Sequence, residues 1–428
     1  MNSKRSGTVR GDGDQDRGLM PKLRFPEFRE AGNWLPRELN KLLSEPKQRN
    51  RDLTYGPEHV LSVSGEHGCV NQIELMGRSY AGVTVKDYHV VKSGDVVYTK
   101  SPLKAAPYGI IKANKGPDGI VSTLYAVYRP TANSSADYID HFFSGSYNLN
   151  SYLQPLVKKG AKNDMKVNNA AVLTGVIYAP DKDEQQKIAD CLSSLDAVIA
   201  VEGERLAALK AHKKGLMQAL FPAPGQTNPS LRFPEFKGAE EWKVKTIGNS
   251  SVSFSGGTPS STNGKFYGGG IPFIRSAEIA SGKTELTLSR DGLTKSAAKL
   301  VEVGDVLLAL YGANSGNPAI ARINGAINQA VLCIRHESDN RFLFQFLCYR
   351  QFWIKQTYLQ GGQGNISGDI VKSVPISTPP PPEQSRIATF LEEIDISIQC
   401  QADKVDALRM HKSSLMQKLF PSPAEATE

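Results

Sequence analysis

The hydrophobic residues of two long segments follow the same period. Residues 184–222 and residues 383–421 carry one 39-residue pattern twice, 199 positions apart. In each copy, apolar residues recur at alternating intervals of four and three, which gives a helix a single apolar stripe. Two positions of each stripe are polar instead, and they are the same two positions in both copies. The pattern therefore predicts two equivalent long amphipathic helices.

A helix with one apolar stripe must bury it, and here the chain supplies a matching stripe of equal length. We expect an intramolecular coiled coil about 48 Å long, at about 1.5 Å per residue. The alternative, in which each helix packs only on its own domain, stays open. The predicted stripe residues are Ile188, Leu192, Leu195, Ile199, Glu202, Leu206, Leu209, Lys213, Leu216, Leu220, Ile387, Leu391, Ile394, Ile398, Gln401, Val405, Leu408, Lys412, Leu415 and Leu419.

The polar positions of the stripe suggest how two antiparallel helices would align. Placing Glu202 opposite Lys412 also brings Lys213 opposite Gln401, so that polar residues meet polar residues and no unpaired charge is buried. A competing alignment pairs Ile188 with Leu419 and gives more overlap. We expect the first alignment.

A second repeat precedes each helix. Residues 21–28, which include the letters LRFPEF, recur 208 positions later as residues 229–236, and a tryptophan follows in both copies. Between this opening segment and the long helix lies a body of short strand-like runs and one aromatic-rich helical stretch, which favours an α+β fold. The predicted division is a disordered tail at 1–20, a domain at 21–180, a long helix at 181–222, a linker and second domain at 223–379, a long helix at 380–421 and a tail at 422–428.

The two bodies share an outline but little sequence. The triplets Gly94-Asp95-Val96 and Gly304-Asp305-Val306 each begin a strand that reads as buried. The aromatic residues of the helical stretches, 136–157 and 340–359, are predicted to be core. The polar loops that follow differ completely, which indicates two domains of one fold with different binding loops.

Composition adds a weak preference for a polyanion. Lys and Arg number 51 against 43 acidic residues, a net charge of +8, which suits nucleic acid without requiring it. The five cysteines lack metal-site spacing, and no apolar run approaches the roughly 20 residues of a membrane span. No phosphate loop, nucleophile elbow, zinc helix or adenine-methylation motif is present. We expect a cytoplasmic protein with no catalytic residues, no metal and no cofactor of its own.

The order of these parts resembles the specificity (S) subunit of type I restriction-modification systems, over essentially the whole chain after Met20. Residues 256–260 (GGTPS) and 364–367 (GNIS) look like two loops of one class of target-recognition domain in that family. The first domain departs from this pattern, with AKNDM at residues 161–165. Its base preference is therefore harder to predict.

This resemblance implies two tandem target-recognition domains, each followed by a long helix, with the helices paired as an antiparallel coiled coil of pseudo-twofold symmetry. Each domain would read one half of a bipartite, asymmetric site in double-stranded DNA. The helices would dock two methyltransferase (M) subunits, and restriction (R) motor-nuclease subunits would join them. S-adenosylmethionine, ATP and magnesium would belong to those partners.

Candidate DNA contacts follow from loop position and residue type, because cations bind phosphates while amide and guanidinium groups read base edges. Two alternatives stay open: the recognition subunit of a system whose partner fuses methyltransferase and nuclease, and a coiled-coil adaptor that binds no DNA. The candidates are Lys100, Lys104, Lys158, Lys159, Lys162, Asn163 and Lys166 in the first domain, and Arg275, Tyr311, Asn314, Gln363, Asn365 and Ser367 in the second.

Overall fold

The chain folds into two compact units, and both long helices contribute to each. The computed structural model describes residues 18–100, 106–159, 165–166, 168–223, 225–358 and 364–421. The first unit takes residues up to 201 together with those from 405 onward, and the second takes residues 202–404. Among the described residues, no helix is long and apolar enough to cross a membrane.

The predicted tails lie mostly outside the described residues, but one part of the N-terminal prediction is wrong. Leu19 was assigned to a disordered tail, yet it is 7% exposed and exchanges two backbone hydrogen bonds with Trp34, of 2.9 and 2.8 Å. Burial of the apolar Leu19 side chain beside the buried tryptophan stabilises the ordered conformation over a disordered one.

The first unit is built on a four-stranded antiparallel sheet in the order β2-β9-β6-β7, with β1 paired to β12, β3 to β4, β5 to β8 and β10 to β11. Its strands are β1 (Leu35–Glu38), β2 (Leu43–Ser44), β3 (Leu61–Ser64), β4 (Gly68–Asn71), β5 (His89–Val91), β6 (Val96–Thr99), β7 (Ile110–Ala113), β8 (Gly119–Val121), β9 (Tyr125–Pro130), β10 (Lys158–Lys159), β11 (Met165–Lys166) and β12 (Val176–Ala179). Its helices are α1 (Gln72–Met76), α2 (Ala136–Ser144), α3 (Ser146–Leu153), α4 (Asn169–Val172) and the first half of α5 (Lys182–Leu220).

The second unit repeats this plan with a larger second sheet. One four-stranded sheet has the order β14-β21-β18-β19, the other has the order β16-β15-β20-β17, and β13 pairs with β22. The strands are β13 (Lys243–Thr246), β14 (Ser251–Ser255), β15 (Tyr267–Ile274), β16 (Thr287–Leu288), β17 (Lys299–Val301), β18 (Val306–Ala309), β19 (Pro318–Ile320), β20 (Gly325–Ile327), β21 (Val331–His336) and β22 (Pro375–Thr378). The helices are the second half of α5, α6 (Arg290–Thr294), α7 (Asn340–Tyr358), α8 (Gly368–Ser373) and α9 (Pro381–Leu419) as far as Lys404.

The repeated Gly-Asp-Val triplets form the same structure in both units. The glycine adopts a positive φ, +84° at Gly94 and +94° at Gly304. This conformation makes the tight turn that leads into a buried strand. The aspartate then accepts two hydrogen bonds from an arginine of the neighbouring strand, Asp95 from Arg129 and Asp305 from Arg335, at 2.8 to 2.9 Å. This turn and ion pair are part of the common fold and not of a variable site.

The environment of Asp305 sets its ionisation. Burial alone would raise the pKa of this carboxyl, but hydrogen bonds from Arg335 and from the Glu302 backbone outweigh burial and hold the pKa below its ordinary value. The pair therefore stays charged at neutral pH.

The repeated opening segments lock the start of each long helix. In the first unit Arg24 donates to both carboxylate oxygens of Glu184, at 2.8 and 2.7 Å, and in the second Arg232 does the same to Glu383, at 2.7 Å each. Both carboxylate side chains are almost fully buried, with exposures of 4% and 1%. A bidentate arginine is the geometry that satisfies such a buried carboxylate. This explains why the arginine and the glutamate occur in both repeats.

The long helices pair antiparallel within each unit, as the predicted fold class requires. In the first unit Ile188 and Leu192 of α5 share a core with Leu419 of α9. In the second, Leu220 of α5 shares a core with Ile387 of α9. Each of the twenty predicted stripe positions is buried or half-buried.

The expected alignment of the helices is wrong, and the competing one occurs. Lys412 donates to Asp196 at 2.5 and 2.6 Å, and the equivalent Lys213 donates to Asp395 at 2.6 Å. The Glu202 carboxylate, expected to face Lys412, instead accepts a 2.7 Å hydrogen bond from the amide of Gln401.

The reason lies beside the stripe. Asp196 and Asp395 each follow a stripe residue directly and reach the lysine of the opposite helix. Pairing each lysine with an aspartate removes the need to bring Glu202 to a lysine of the stripe, and it allows Ile188 to pack near Leu419. These two aspartates, and not the polar positions of the stripe alone, set the alignment of the helices.

The ends of the long helices complete the cores of the two units. In the structure, Leu419 and Phe420 from the end of α9 lie in the core of the first unit, and Leu220 and Phe221 from the end of α5 lie in that of the second. A domain cut before these residues would lose buried aromatic surface.

Candidate nucleic-acid interface

One edge of the second unit gathers the ends of several strands. The turn at residues 328–330 joins β20 to β21 and so connects the two four-stranded sheets. The Ala330 carbonyl of this turn accepts a 2.8 Å hydrogen bond from the backbone amide of Leu310, the residue directly after β18. The backbone carbonyl of Asn328 accepts a 3.2 Å hydrogen bond from the backbone amide of Gly256, the residue directly after β14. The loops after β14, β18 and β20 therefore lie side by side.

The loop after α7 joins the same edge. The Ile366 amide donates to the carbonyl of Leu310 at 2.8 Å, and Ile366 itself is fully buried. Its neighbours Asn365 and Ser367 are exposed, and the Ser367 hydroxyl caps α8 by accepting from the Ile370 amide at 3.2 Å. Burial of one residue thus presents the residue before it to solvent.

Of the six predicted contacts in the second domain, four lie in these two adjacent loops. One of the four, Tyr311, is 40% exposed. Asn314 is half-buried in the loop after β18. Gln363 lies outside the described residues. The four are Tyr311, Asn314, Asn365 and Ser367.

Arg275, the sixth predicted contact, directly follows β15 and is already paired. Its guanidinium donates to Glu278 at 3.0 and 3.2 Å and to Glu285 at 2.5 Å. These hydrogen bonds, first that to Glu278 and then that to Glu285, raise the pKa of Arg275 further above its usual range. Arg275 would have to exchange these bonds to read a base, so it is a weaker candidate than the loop residues.

Sequence reasoning missed several polar side chains at this edge. Thr258 donates to the Gln329 side chain at 2.6 Å and so links the GGTPS loop to the turn after β20. Gln351 and Lys355, on α7, both donate to the side-chain oxygen of Asn317, at 2.8 and 2.5 Å. No local signal marks these residues, since they lie in a helix and in turns whose proximity depends on the tertiary fold.

In the first unit, the described candidates lie in two places. Lys100 follows β6, at the same edge of its sheet as Leu310 in the second unit, and burial lowers its pKa although the Glu45 carboxylate acts in the opposite sense. Lys158, Lys159 and Lys166 lie on the antiparallel pair β10 and β11, where Lys158 is aligned with Lys166. Lys104, Lys162 and Asn163 lie outside the described residues.

The described part of the chain contains no cluster of three or more His, Cys, Asp or Glu residues that could hold a metal ion. Two histidines of the first unit are buried, and burial lowers the pKa of both His89 and His141 to about 4. They are neutral at physiological pH and add no charge to the surface.

Comparison with known proteins adds independent information. Residues 239–409 match the family profile of the type I restriction modification DNA specificity domain. A chain named as the MjaX specificity subunit of a type I restriction enzyme, from Methanocaldococcus jannaschii, is 28% identical over 273 residues, which is 62% of this chain and 63% of that one. The MjaVIII specificity subunit of the same organism is 24% identical over 44% of this chain and 43% of its own length. This chain thus spans less than two thirds of the length of either curated relative.

Solved structures agree on the fold. The S subunit of a type I restriction-modification system from M. genitalium aligns with a TM-score of 0.60 at 14% identity, over 94% of this chain and all of that one. A chain from a structural study of the assembly and conformational transition of a type I R-M system aligns with a TM-score of 0.54 at 18% identity, over 91% and 98%. The family profile, the curated relatives and the shared fold together confirm that this chain resembles the specificity subunits of type I restriction-modification systems.

Proposed function

We propose that this chain is the non-catalytic, sequence-specific DNA-binding subunit of a type I restriction-modification complex. Each recognition domain reads one half of a bipartite, asymmetric site. The observation that carries this proposal is a contrast between the repeats: the ion pairs that hold the fold are the same in both units, whereas the loops at the equivalent sheet edge differ. A common framework with different loops suits two readers of different sequences.

Charge and residue type support DNA as the ligand. The net charge of +8 favours a polyanion. The edge of the second unit carries exposed tyrosine, asparagine and serine side chains, whose amides and hydroxyls can read base edges. The first unit offers lysines at Lys100 and on the β10 and β11 pair, which suit phosphates.

The paired helices are proposed to dock two methyltransferase subunits and to set the distance between half-sites. Large apolar side chains on the helices remain solvent-exposed, namely Val198 at 45%, Val201 at 62%, Ile396 at 59% and Met410 at 73%. Exposed apolar side chains on a helix can be buried by a partner helix, so these positions support docking of methyltransferase subunits. Restriction subunits would join such a complex through the methyltransferase subunits or through this chain.

The decisive test is to map methylated adenines in cells with and without this gene, with the partner genes present. The expected result is a bipartite motif that disappears with the gene. If methylation is unchanged, and the purified chain with its partner shows no sequence preference in a mobility-shift assay, the chain is an adaptor and the proposal fails.

The spacing role has its own test. Glu202 contacts Gln401 in the observed alignment, so one heptad inserted after each of these residues keeps the stripes in phase. The insertion adds about 10 Å, equivalent to roughly three base pairs at about 3.4 Å each. The expected result is a motif with the same half-sites and a longer spacer. An unchanged spacer methylated at full efficiency would show that the helices do not set the distance.

A further inference from the structure

A small polar cluster links the loop after β18 in the second unit to α7. It consists of Asn314, Asn317, Gln351 and Lys355. The side-chain oxygen of Asn317 accepts from both Gln351 and Lys355 of α7, and its amide nitrogen lies 3.4 Å from the side-chain oxygen of Asn314. The backbone repeats this link, since the Asn317 amide donates to the carbonyl of Asn314 at 2.9 Å. Asn314 is therefore held on its oxygen side, which directs its NH2 group away from the cluster.

The cation of this cluster lacks an acidic partner. No carboxylate among the described residues forms an ion pair with the half-buried Lys355, whose ammonium group donates to the neutral side-chain oxygen of Asn317. Its stem packs against Gly316, where an added Cβ would lie 3.1 Å from Lys355 Cγ. An ammonium group has three donors, and Asn317 takes one. Two donors and a full positive charge remain beside the exposed loop of Tyr311.

A cation held without a carboxylate at the edge of a proposed DNA-binding surface suits a phosphate. We propose that Lys355 binds a DNA backbone phosphate, and that Asn317, as a positioning residue, couples this contact to Asn314, whose NH2 group reads a base edge. This inference rests on the proposed function and deepens it for the second half-site. In the first unit the residue aligned with the end of β6, as Asn317 is with the end of β18, is Ile110, whose side chain cannot accept these hydrogen bonds.

The test uses the complete complex with its methyltransferase partner and measures DNA affinity as a function of salt. Lys355→Met and Lys355→Gln remove the charge, and the glutamine variant can still donate to Asn317. We expect both to lower the slope of log affinity against log salt by about one and to weaken binding about fivefold near ~0.15 M salt. This loss should be the same for every base substitution in the site, while Lys355→Arg keeps the wild-type slope.

Two controls separate charge from structure. Gln351→Met removes the other hydrogen bond to Asn317 without changing charge, so the slope should stay at the wild-type value. Lys245→Met removes a cation paired with Glu337 at the opposite edge of the sheet, and should also leave the slope unchanged. Asn314→Ala should reduce discrimination at one base pair of the second half-site by about tenfold or more.

The outcomes divide the two proposals. If the wild-type complex binds its site and both uncharged Lys355 variants keep the wild-type slope, the phosphate contact does not exist, although the proposed function stands. If Asn314→Ala leaves every base preference intact, the reading role is wrong. If the wild-type complex shows no specific DNA binding, the proposed function fails and this inference fails with it.

Discussion

The buried ion pair of the second opening segment offers a quantitative test of how the body of the second unit is attached to its helix. The change is Arg232→Met, which keeps the length of the side chain and removes its charge. Arg232 is 14% exposed and Glu383 is 1% exposed, so the carboxylate would stay buried without a cation. Arg232 also donates to the carbonyls of Ala239 and Glu240 at 2.9 Å each, and these bonds would be lost as well.

Removing one partner of a buried pair costs about 3–5 kcal/mol, because the remaining charge is left uncompensated. A double variant, Arg232→Met with Glu383→Leu, removes both charges and should recover most of that loss. The exposed pair of Lys372 and Asp369, at 44% and 91% exposure, supplies the control. Lys372→Met should cost less than about 1 kcal/mol.

The measurement is urea unfolding of the full chain followed by hydrogen exchange of peptides from the first turns of α9, which reports on the second unit alone. Unfolding of two units is not a single two-state transition, so a probe within one unit is required. If Arg232→Met costs no more than Lys372→Met, the opening segment does not hold the helix start. If the double variant is as unstable as the single one, the loss comes from packing and not from the buried charge.

Three further predictions follow from the helices, the loops and the common fold. Lys213→Asp should destabilise the helix pair, because the new carboxylate faces that of Asp395. Adding Asp395→Lys should restore the melting temperature, and a double variant that stays destabilised would contradict the observed alignment. Gly256→Ala should displace the GGTPS loop, since its Cβ would lie 1.8 Å from the Ile327 carbonyl oxygen. Weaker DNA binding is the expected readout, with a lower melting temperature because the clashing atom belongs to the backbone. The pKa of Asp305 is lower in the folded state than in the unfolded state. Its ionised carboxyl therefore stabilises the fold above the unfolded pKa, near 3.9, and this contribution is lost as the pH falls through the folded pKa. Asp305→Asn should flatten the dependence of stability on pH below about pH 4.

Features that depend on local periodicity could be predicted from the sequence. The 4-3 spacing of apolar residues predicted both long helices, because a continuous helix exposes its stripe wherever it later packs. The aromatic residues of the stretches 136–157 and 340–359 were predicted as core, and this holds for Tyr138, Phe143 and Phe342, which are fully buried. It is wrong for Tyr147 and Phe352, which are 53% and 72% exposed. One local detail was missed: the predicted helical stretch at 136–157 breaks at Gly145, which lies between α2 and α3.

Contacts between distant segments were decided by the tertiary structure. Arg24 meets Glu184 across 160 positions of sequence, and the sequence repeated both residues without indicating that they touch. The helix alignment depends on Asp196, which lies beside the apolar stripe and not in it.

The candidate site shows the same division. Residue type and loop position placed Tyr311 and Asn365 among the candidates, but only the bond between Ile366 and Leu310 brings their loops together. Lys355 was missed because a lysine on a helix looks solvated until its neighbours are known. Periodicity belongs to one segment and can be read along the chain, whereas alignment, ion pairing and the assembly of a binding edge are set by side chains that meet only after the chain has folded.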